Sequence, residues 1–337
     1  WVAKTGEPLN VPDVSKDNRF YAEPDRITGF TTRSILAVPL KVKNKVIGVA
    51  EVINPLYGDS FTEDDLELFS TFGRQVALAI ENARMHRQML DKQKLEQQLE
   101  SAFSIQQSFM PQTFPRCSQG RFTVWARYLP ATSVGGDFYD FIEFEDDQLG
   151  VVIGDVSGKG IPAALYMARL VSDFRFHSQL ERDPARTLKA INELLVARSR
   201  RGMFVTLQYL ILEPATGNLK ITNAGHLPPV WLHQNGQRVE LLDDIDGAPL
   251  GIKVGLSFHS RELNLSHGDS ILLFTDGIIE ARNKRGNRFS MKQLLQISRG
   301  NWQDPQRLVD TIIGSVSEFS QGVPQHDDIT VVALTWH

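Results

Sequence analysis

Apolar and polar positions along the chain divide it into three stretches with different periods. In the first, residues 34–54 (SILAVPLKVKNKVIGVAEVIN) form two apolar runs around a Lys-Asn-Lys turn, which predicts a pair of strands. Pro39 and Gly48 within those runs predict an edge or a bulge. Thr62 then stands as a helix N-cap, and Asp65 three places on completes a capping box. Leu66, Phe69, Phe72, Val76, Ile80 and Ala83 follow at the spacing of a buried helical stripe. The same steps of three and four continue through Met89, Leu95, Leu99, Ala102, Ile105 and Phe109 in a polar setting, with no Gly or Pro between Gln75 and Met110. A narrow apolar seam on a charged helix is buried most simply by a second copy, so a parallel dimeric coiled coil is expected. The competing arrangement is a rigid spacer lying against its own domain.

Pro111 and Pro115 end the helix and open the third stretch. Apolar runs at 149–153, 204–212, 219–222, 270–274 and 329–334 predict strands, and helical periods fall at 162–179, 184–198, 291–298 and 305–319. This mixture predicts an α+β domain built on a mainly antiparallel, layered sheet. At 337 residues the chain has room for about two domains. No repeat interrupts it. A net charge of -4 provides no bulk attraction to nucleic acid or anionic membrane, so neither is expected as a partner. One cysteine, Cys117, excludes an intramolecular disulfide and a cysteine-based zinc cluster. No apolar run reaches the roughly 18 residues of a membrane span, and WVAKTGEPLN lacks the plan of a signal peptide. A cytoplasmic protein is expected. The chain starts on Trp1 rather than methionine and is expected to be a fragment or a processed product.

Candidate chemistry lies where strands meet loops. Asp137 sits in VGGDFYD (134–140), and Asp155 follows the 149–153 run within GDVSGKG (154–160). Asp276 follows the 270–274 run in Thr275-Asp276-Gly277, and Asp327-Asp328 precede the last strand. A single aspartate at a turn usually serves the turn itself. Several acids aimed at one cleft would repel unless a hard cation neutralised them, and all-oxygen sites suit Mg²⁺ or Mn²⁺. Two such ions can activate water and clamp a phosphoryl group.

Other chemistries fail on spacing. Gly-Gly-Asp opens the signature of diguanylate cyclases, but Asp137 is followed by Phe138-Tyr139 instead of a second acid. GDVSGKG has Ile153 where a phosphate loop needs its first Gly, and Gly160 where Ser or Thr should bind magnesium. Ser157 is not in a G-x-S-x-G elbow, and the eight histidines show no zinc-binding spacing. His226, in Asn223-Ala224-Gly225-His226, is read as a loop-packing residue rather than a general acid.

VGGDFYD, GDVSGKG with the following Ile161-Pro162-Ala163-Ala164-Leu165, Asn223-Ala224-Gly225-His226, Thr275-Asp276-Gly277 with Glu280, and Asp327-Asp328-Ile329-Thr330 occur in this order over about residues 112–336. In this the chain resembles the bacterial SpoIIE-like and RsbU-like serine/threonine phosphatases of the protein phosphatase 2C superfamily. The resemblance implies an αββα sandwich with two Mn²⁺ or Mg²⁺ ions. It implies Asp155 as bridging ligand, the Val156 carbonyl on one ion, Asp276 and Asp327 completing the coordination, and Asp137 on a metal or its water. The same four acids would be the catalytic residues, with a bridging hydroxide as attacking group. The arginine with which eukaryotic members grip phosphate has no equivalent that can be placed here.

Thr5-Gly6-Glu7-Pro8-Leu9-Asn10-Val11-Pro12-Asp13, then 17–20 and 34–54, resemble the later half of a GAF sensory domain, whose first part would precede Trp1. The implied domains are a partial GAF domain at 1–83, a coiled-coil linker helix at 84–111 and a phosphatase at 112–337. The implied function is dephosphorylation of a phosphoprotein, such as a STAS-domain anti-sigma-factor antagonist. It would be regulated by a small-molecule or protein input at the GAF domain, in a homodimer joined through the linker. A sensor or scaffold that binds phosphoproteins without turnover is the alternative.

Overall fold

The computed structural model describes residues 1–337 apart from 118, 199–201 and 246. It divides into two compact units, Trp1–Gln97 and Gln98–His337.

In the first unit, helix α1 (Val2–Thr5) and strand β1 (Leu9–Val11) precede helix α2 (Glu23–Thr28) and the hairpin β2 (Ile35–Val42) and β3 (Lys45–Ile53). The antiparallel sheet runs β1-β2-β3, so β2 with its Pro39 is the central strand. Its pairing with β3 slips between Leu40 and Lys41, one residue beyond the proline, so the irregularity expected there takes the form of a bulge. Helix α3 runs from Glu63 to Phe109. The capping box forms: Asp65 N donates to Thr62 Oγ1 at 3.2 Å, and Thr62 N donates to Asp65 Oδ2 at 2.8 Å. Gly73 lies within the helix because a side chain there would come 2.8 Å from Val38 Cγ2 of β2. Leu66, Phe69, Val76 and Ala77 accompany it on the covered side, while Phe72 and Ile80, expected in the same stripe, are exposed. No described helix is long and apolar enough to cross a membrane.

The second unit is a two-sheet sandwich. One sheet has the order β10 (Arg238–Leu241), β9 (Val230–His233), β12 (Ser270–Phe274), β13 (Ile329–Trp336), β4 (Phe122–Leu129). The other has the order β11 (Arg261–Asn264), β8 (Asn218–Ala224), β7 (Val205–Glu213), β6 (Leu149–Val156), β5 (Phe138–Glu143). Every pairing is antiparallel. Helices α4 (Ile161–Leu180) and α5 (Pro184–Arg198) pack on the β5–β8 sheet. A short α6 (Asp276–Glu280) leads to α7 (Ser290–Ser298) and α8 (Pro305–Phe319), and α8 packs on β4 and β13. The result is the four-layered αββα arrangement. Val151, Ile153, Leu207, Leu210, Ile271 and Leu273 are among the fully covered side chains of the main core. A second core joins Leu308, Ile312 and Val316 of α8 to Leu272, Phe274 and Val331.

Candidate active site

The site begins with the turn between β4 and β5, and two glycines determine its shape. A side chain at Gly135 would collide with the Asp328 carboxylate and the Tyr128 hydroxyl. One at Gly136 would come 2.7 Å from the Val156 carbonyl oxygen and 3.4 Å from Asp155 Oδ1. Only glycine lets this backbone pass so close to the end of β6.

Asp328 holds the turn. Its Oδ1 accepts from Ala131 N and its Oδ2 from Gly136 N, both at 2.9 Å. From the other side, Gln106 in the last turns of α3 pairs with Gly135, donating from Nε2 to the carbonyl at 2.5 Å and accepting from the amide at 3.2 Å. Gln106 is 4% exposed, so both bonds are sheltered from water. Asp140 is buried at the far side of the turn, where Arg175 of α4 meets its Oδ2 at 2.6 Å and also donates to the Phe109 carbonyl at 2.8 Å. Asp140 therefore ties β5 to α4 and to the end of α3, taking no direct part in the acid cluster.

Asp137 itself is 2% exposed. Thr275 Oγ1 donates to its Oδ2 at 2.6 Å and Thr330 Oγ1 to the same atom at 2.8 Å, which locks the carboxyl between the ends of β12 and β13. Burial and the neighbouring charge of Asp155 push its pKa well above the ordinary carboxylate range, against the pull of the two hydroxyls.

Asp155 is the penultimate residue of β6, still within the ladder and opposite Thr206. Desolvation, then the charges of Asp276, Asp327 and Asp328, push it up to about 7. It also takes a hydrogen bond from Asp137. Asp276 opens α6, and burial with the charge of Asp327 raises it too. Gly277 after it lies so close to the Asp328 carbonyl that a side chain would overlap it. Asp155, Asp276, Asp327 and Asp137 thus share one electrostatic neighbourhood at one end of the sandwich. As the side chains stand, no three acidic, histidine or cysteine groups among the described residues close tightly enough to enclose an ion.

The donor set nevertheless fits a hard divalent cation. All candidate ligands are oxygens, burial and neighbouring carboxylate charge hold two of the carboxyls above their ordinary pKa, and a cation already sits on a third. That cation is Lys159, whose Nζ lies 2.8 Å from Asp327 Oδ2 and 2.7 Å from the His326 carbonyl oxygen.

His226 takes no part. It is buried, its Nδ1 lies 2.8 Å from Thr206 Oγ1 and its Nε2 3.2 Å from the Phe274 carbonyl, and burial pushes its pKa down to about 4. It is a neutral packing residue, as its loop suggested. The Ser157 hydroxyl accepts from Phe204 N at 2.9 Å. Three positions that contact the site were not singled out by the sequence. Gln106 is one more polar residue on a polar helix, Lys159 is a lysine in a glycine loop, and Asp328 was left out of the ligand set that took in Asp327.

Comparison with known proteins gives a concordant picture. The family model described as stage II sporulation protein E (SpoIIE) matches residues 145–337, a stretch that includes Asp155, Asp276 and Asp327 but starts after Asp137. The GAF domain model matches residues 1–80. Protein IcfG of Synechocystis sp. is 28% identical over 264 residues, covering 70% of this chain and 41% of IcfG. Phosphoserine phosphatase RsbU of Bacillus subtilis is 27% identical over 245 residues, covering 72% of this chain and 71% of RsbU. Among solved structures, the SiaA-PP2C domain of Pseudomonas aeruginosa superposes with a TM-score of 0.65 at 21% identity, covering 73% of this chain and 99% of that domain.

Proposed function

The chain belongs to the stage II sporulation protein E (SpoIIE) family, with a GAF domain on its N-terminal side, and on that premise we propose that it is a metal-dependent protein serine/threonine phosphatase. The observation that carries this reading is the convergence of Asp155, Asp276 and Asp327 from three separate strand ends onto one space, with Lys159 on Asp327 as the cation beside them. Asp155, Asp276 and Asp327, with the Val156 carbonyl, would hold two Mn²⁺ or Mg²⁺ ions, whose chemistry is to activate water and to neutralise phosphoryl oxygens. The chain's own residues do the rest. Asp137, held by two hydroxyls, stands buried beside Asp155. Asp328 keeps the glycine turn open, so the Val156 carbonyl and the acids stay within reach of each other.

The substrate in this reading is a phosphoserine or phosphothreonine of a cytoplasmic protein, and a STAS-type anti-sigma-factor antagonist fits the chemistry that RsbU's name describes. The GAF domain supplies the input. Its cavity of about 480 Å³, lined by Val11, Phe20, Tyr21, Ile35 and Glu51, is large enough for a small molecule. Leu78, Met85 and Met89, exposed at steps of seven and four along α3, would pack against a second copy, giving a homodimer.

The deciding experiment is hydrolysis of a phosphoserine protein with and without Mn²⁺. The expected result is metal-dependent phosphate release that the double variant Asp155→Ala, Asp276→Ala abolishes. Undiminished release by that variant would refute the assignment. Saturable binding of the phosphoprotein without release would point to a scaffold instead.

A further inference from the structure

A site lined by acids repels the group it must receive. A phosphoserine monoester carries close to two negative charges near neutral pH, and Asp155, Asp276 and Asp327 already burden the space with negative charge. Two divalent cations held by these acids would offset the acids' own charge, and a cation of the protein beside them adds the attraction that the phosphate's own two charges call for.

Lys159 is placed for this. Its ammonium lies 2.8 Å from Asp327 Oδ2 and 2.7 Å from the His326 carbonyl oxygen, and it lies within the field of Asp276 and Asp328 as well. Three features distinguish it from an ordinary surface ion pair. It stands between Gly158 and Gly160, whose φ angles are 100° and 72°, and a side chain added at either glycine would meet nothing. The loop therefore presents the lysine without packing it, and the backbone has room to readjust. An ammonium has three donors, of which two are engaged here, so a further acceptor can be taken without breaking either bond. Lys159 and Asp327 also share the wall of a cleft of about 770 Å³, bounded by Glu280, Arg282 and the segment after α8. A cleft of that size beside the acids can admit a phosphorylated side chain together with neighbouring residues of its chain.

We propose that Lys159 is the residue that grips the substrate phosphate, donating from its ammonium to a phosphoryl oxygen delivered through this cleft. The inference rests on the phosphatase reading of the site and names the protein cation that reading lacked. The competing role is a simple tie between the Gly158–Gly160 loop and residues 326–327, which would bind no ligand.

The two roles separate on inorganic phosphate as the probe. The full chain, loaded with Mn²⁺, is titrated with phosphate by calorimetry as wild type, Lys159→Met, Lys159→Gln and Lys159→Arg. Phosphate is then tested as an inhibitor of p-nitrophenyl phosphate hydrolysis. Loss of a charge-assisted hydrogen bond is expected to weaken phosphate about tenfold or more in the Met and Gln variants. The Arg variant should stay within a few-fold of wild type, and Mn²⁺ affinity should not fall in any of them. A wild type that binds no phosphate, or Met and Gln variants that bind it as tightly as wild type, overturns the proposal. Lys159-dependent phosphate binding in a protein that hydrolyses no phosphomonoester would keep this inference and remove the phosphatase reading. Hydrolysis with phosphate affinity indifferent to residue 159 would do the reverse.

Discussion

Replacing Asp155 with asparagine is expected to abolish metal-dependent hydrolysis and, in the same protein stripped of metal with EDTA, to raise its stability. Burial and the charges of Asp276, Asp327 and Asp328 lift Asp155 from 3.8 to about 7. Between those values the folded protein holds the Asp155 proton more tightly than the unfolded chain does, so stability falls as pH rises through this window and levels off above it. The full lift corresponds to roughly 4 kcal/mol, and sharing of the proton with Asp137 lowers the expected effect to about 2–4 kcal/mol. Asparagine carries no charge at any pH, and its amide oxygen still accepts the Asp137 hydrogen bond. The gain should therefore be near zero at pH 4 and greatest at pH 8. Guanidinium unfolding followed by tryptophan fluorescence measures it, because Trp125, Trp231, Trp302 and Trp336, four of the five tryptophans, lie in the second unit. Saturating Mn²⁺ should reverse the order, since the wild type gains stability from binding and the variant loses a ligand. A variant no more stable than wild type at pH 8, or equally more stable at both pH values, would refute the claim that Asp155 carries uncompensated charge.

Two further outcomes follow from the glycine turn. Gln106→Leu removes both hydrogen bonds to Gly135 and leaves a buried amide and carbonyl unpaired, so stability should fall by about 2–3 kcal/mol. If the turn also positions the acids, kcat should drop while KM for p-nitrophenyl phosphate changes little, whereas unchanged turnover in a folded variant would confine Gln106 to a structural role. Gly136→Ala forces a methyl to within 2.7 Å of the Val156 carbonyl, and calorimetry should find Mn²⁺ binding weakened by about tenfold or more as that carbonyl is pushed aside. Unaltered Mn²⁺ affinity would remove Val156 from the ligand set.

Strands with continuous apolar runs were legible because both of their faces are covered: β6, β7, β8, β12 and β13 all fall where such runs predicted them. β4 was missed although Phe122, Val124 and Ala126 alternate with more exposed residues, since its signal has period two and an apolar residue, Trp125, stands at an outward position. β9, β10 and β11 have four residues each, too few for any period to show. On α3 the spacing identified a helix but not its neighbours. Phe72 and Ile80 have the spacing of a core and stand exposed, because periodicity reports a stripe and not what covers it.

The site divides along the same line. Asp155, Asp276 and Asp327 could be singled out because each flanks an apolar run, and a strand end on a buried scaffold can aim a carboxylate. Much of what holds the site was not readable, because these contacts bridge distant parts of the chain: Gln106 reaches Gly135 across 29 positions, Asp328 reaches Gly136 across 192, and Thr330 reaches Asp137 across 193. Charge explains why the holding must be this firm. Acids brought together without a counter-ion drive one another apart, and each raised pKa reflects burial first and that repulsion second. Flexible loops could relax by swinging the carboxylates into water. Here two threonine hydroxyls on Asp137, two backbone amides on Asp328 and a sheltered glutamine on Gly135 deny them that escape. The repulsion then remains stored at one end of the sandwich as affinity for positive charge. Lys159 meets part of that demand on Asp327, and Asp155 and Asp276 keep the remainder.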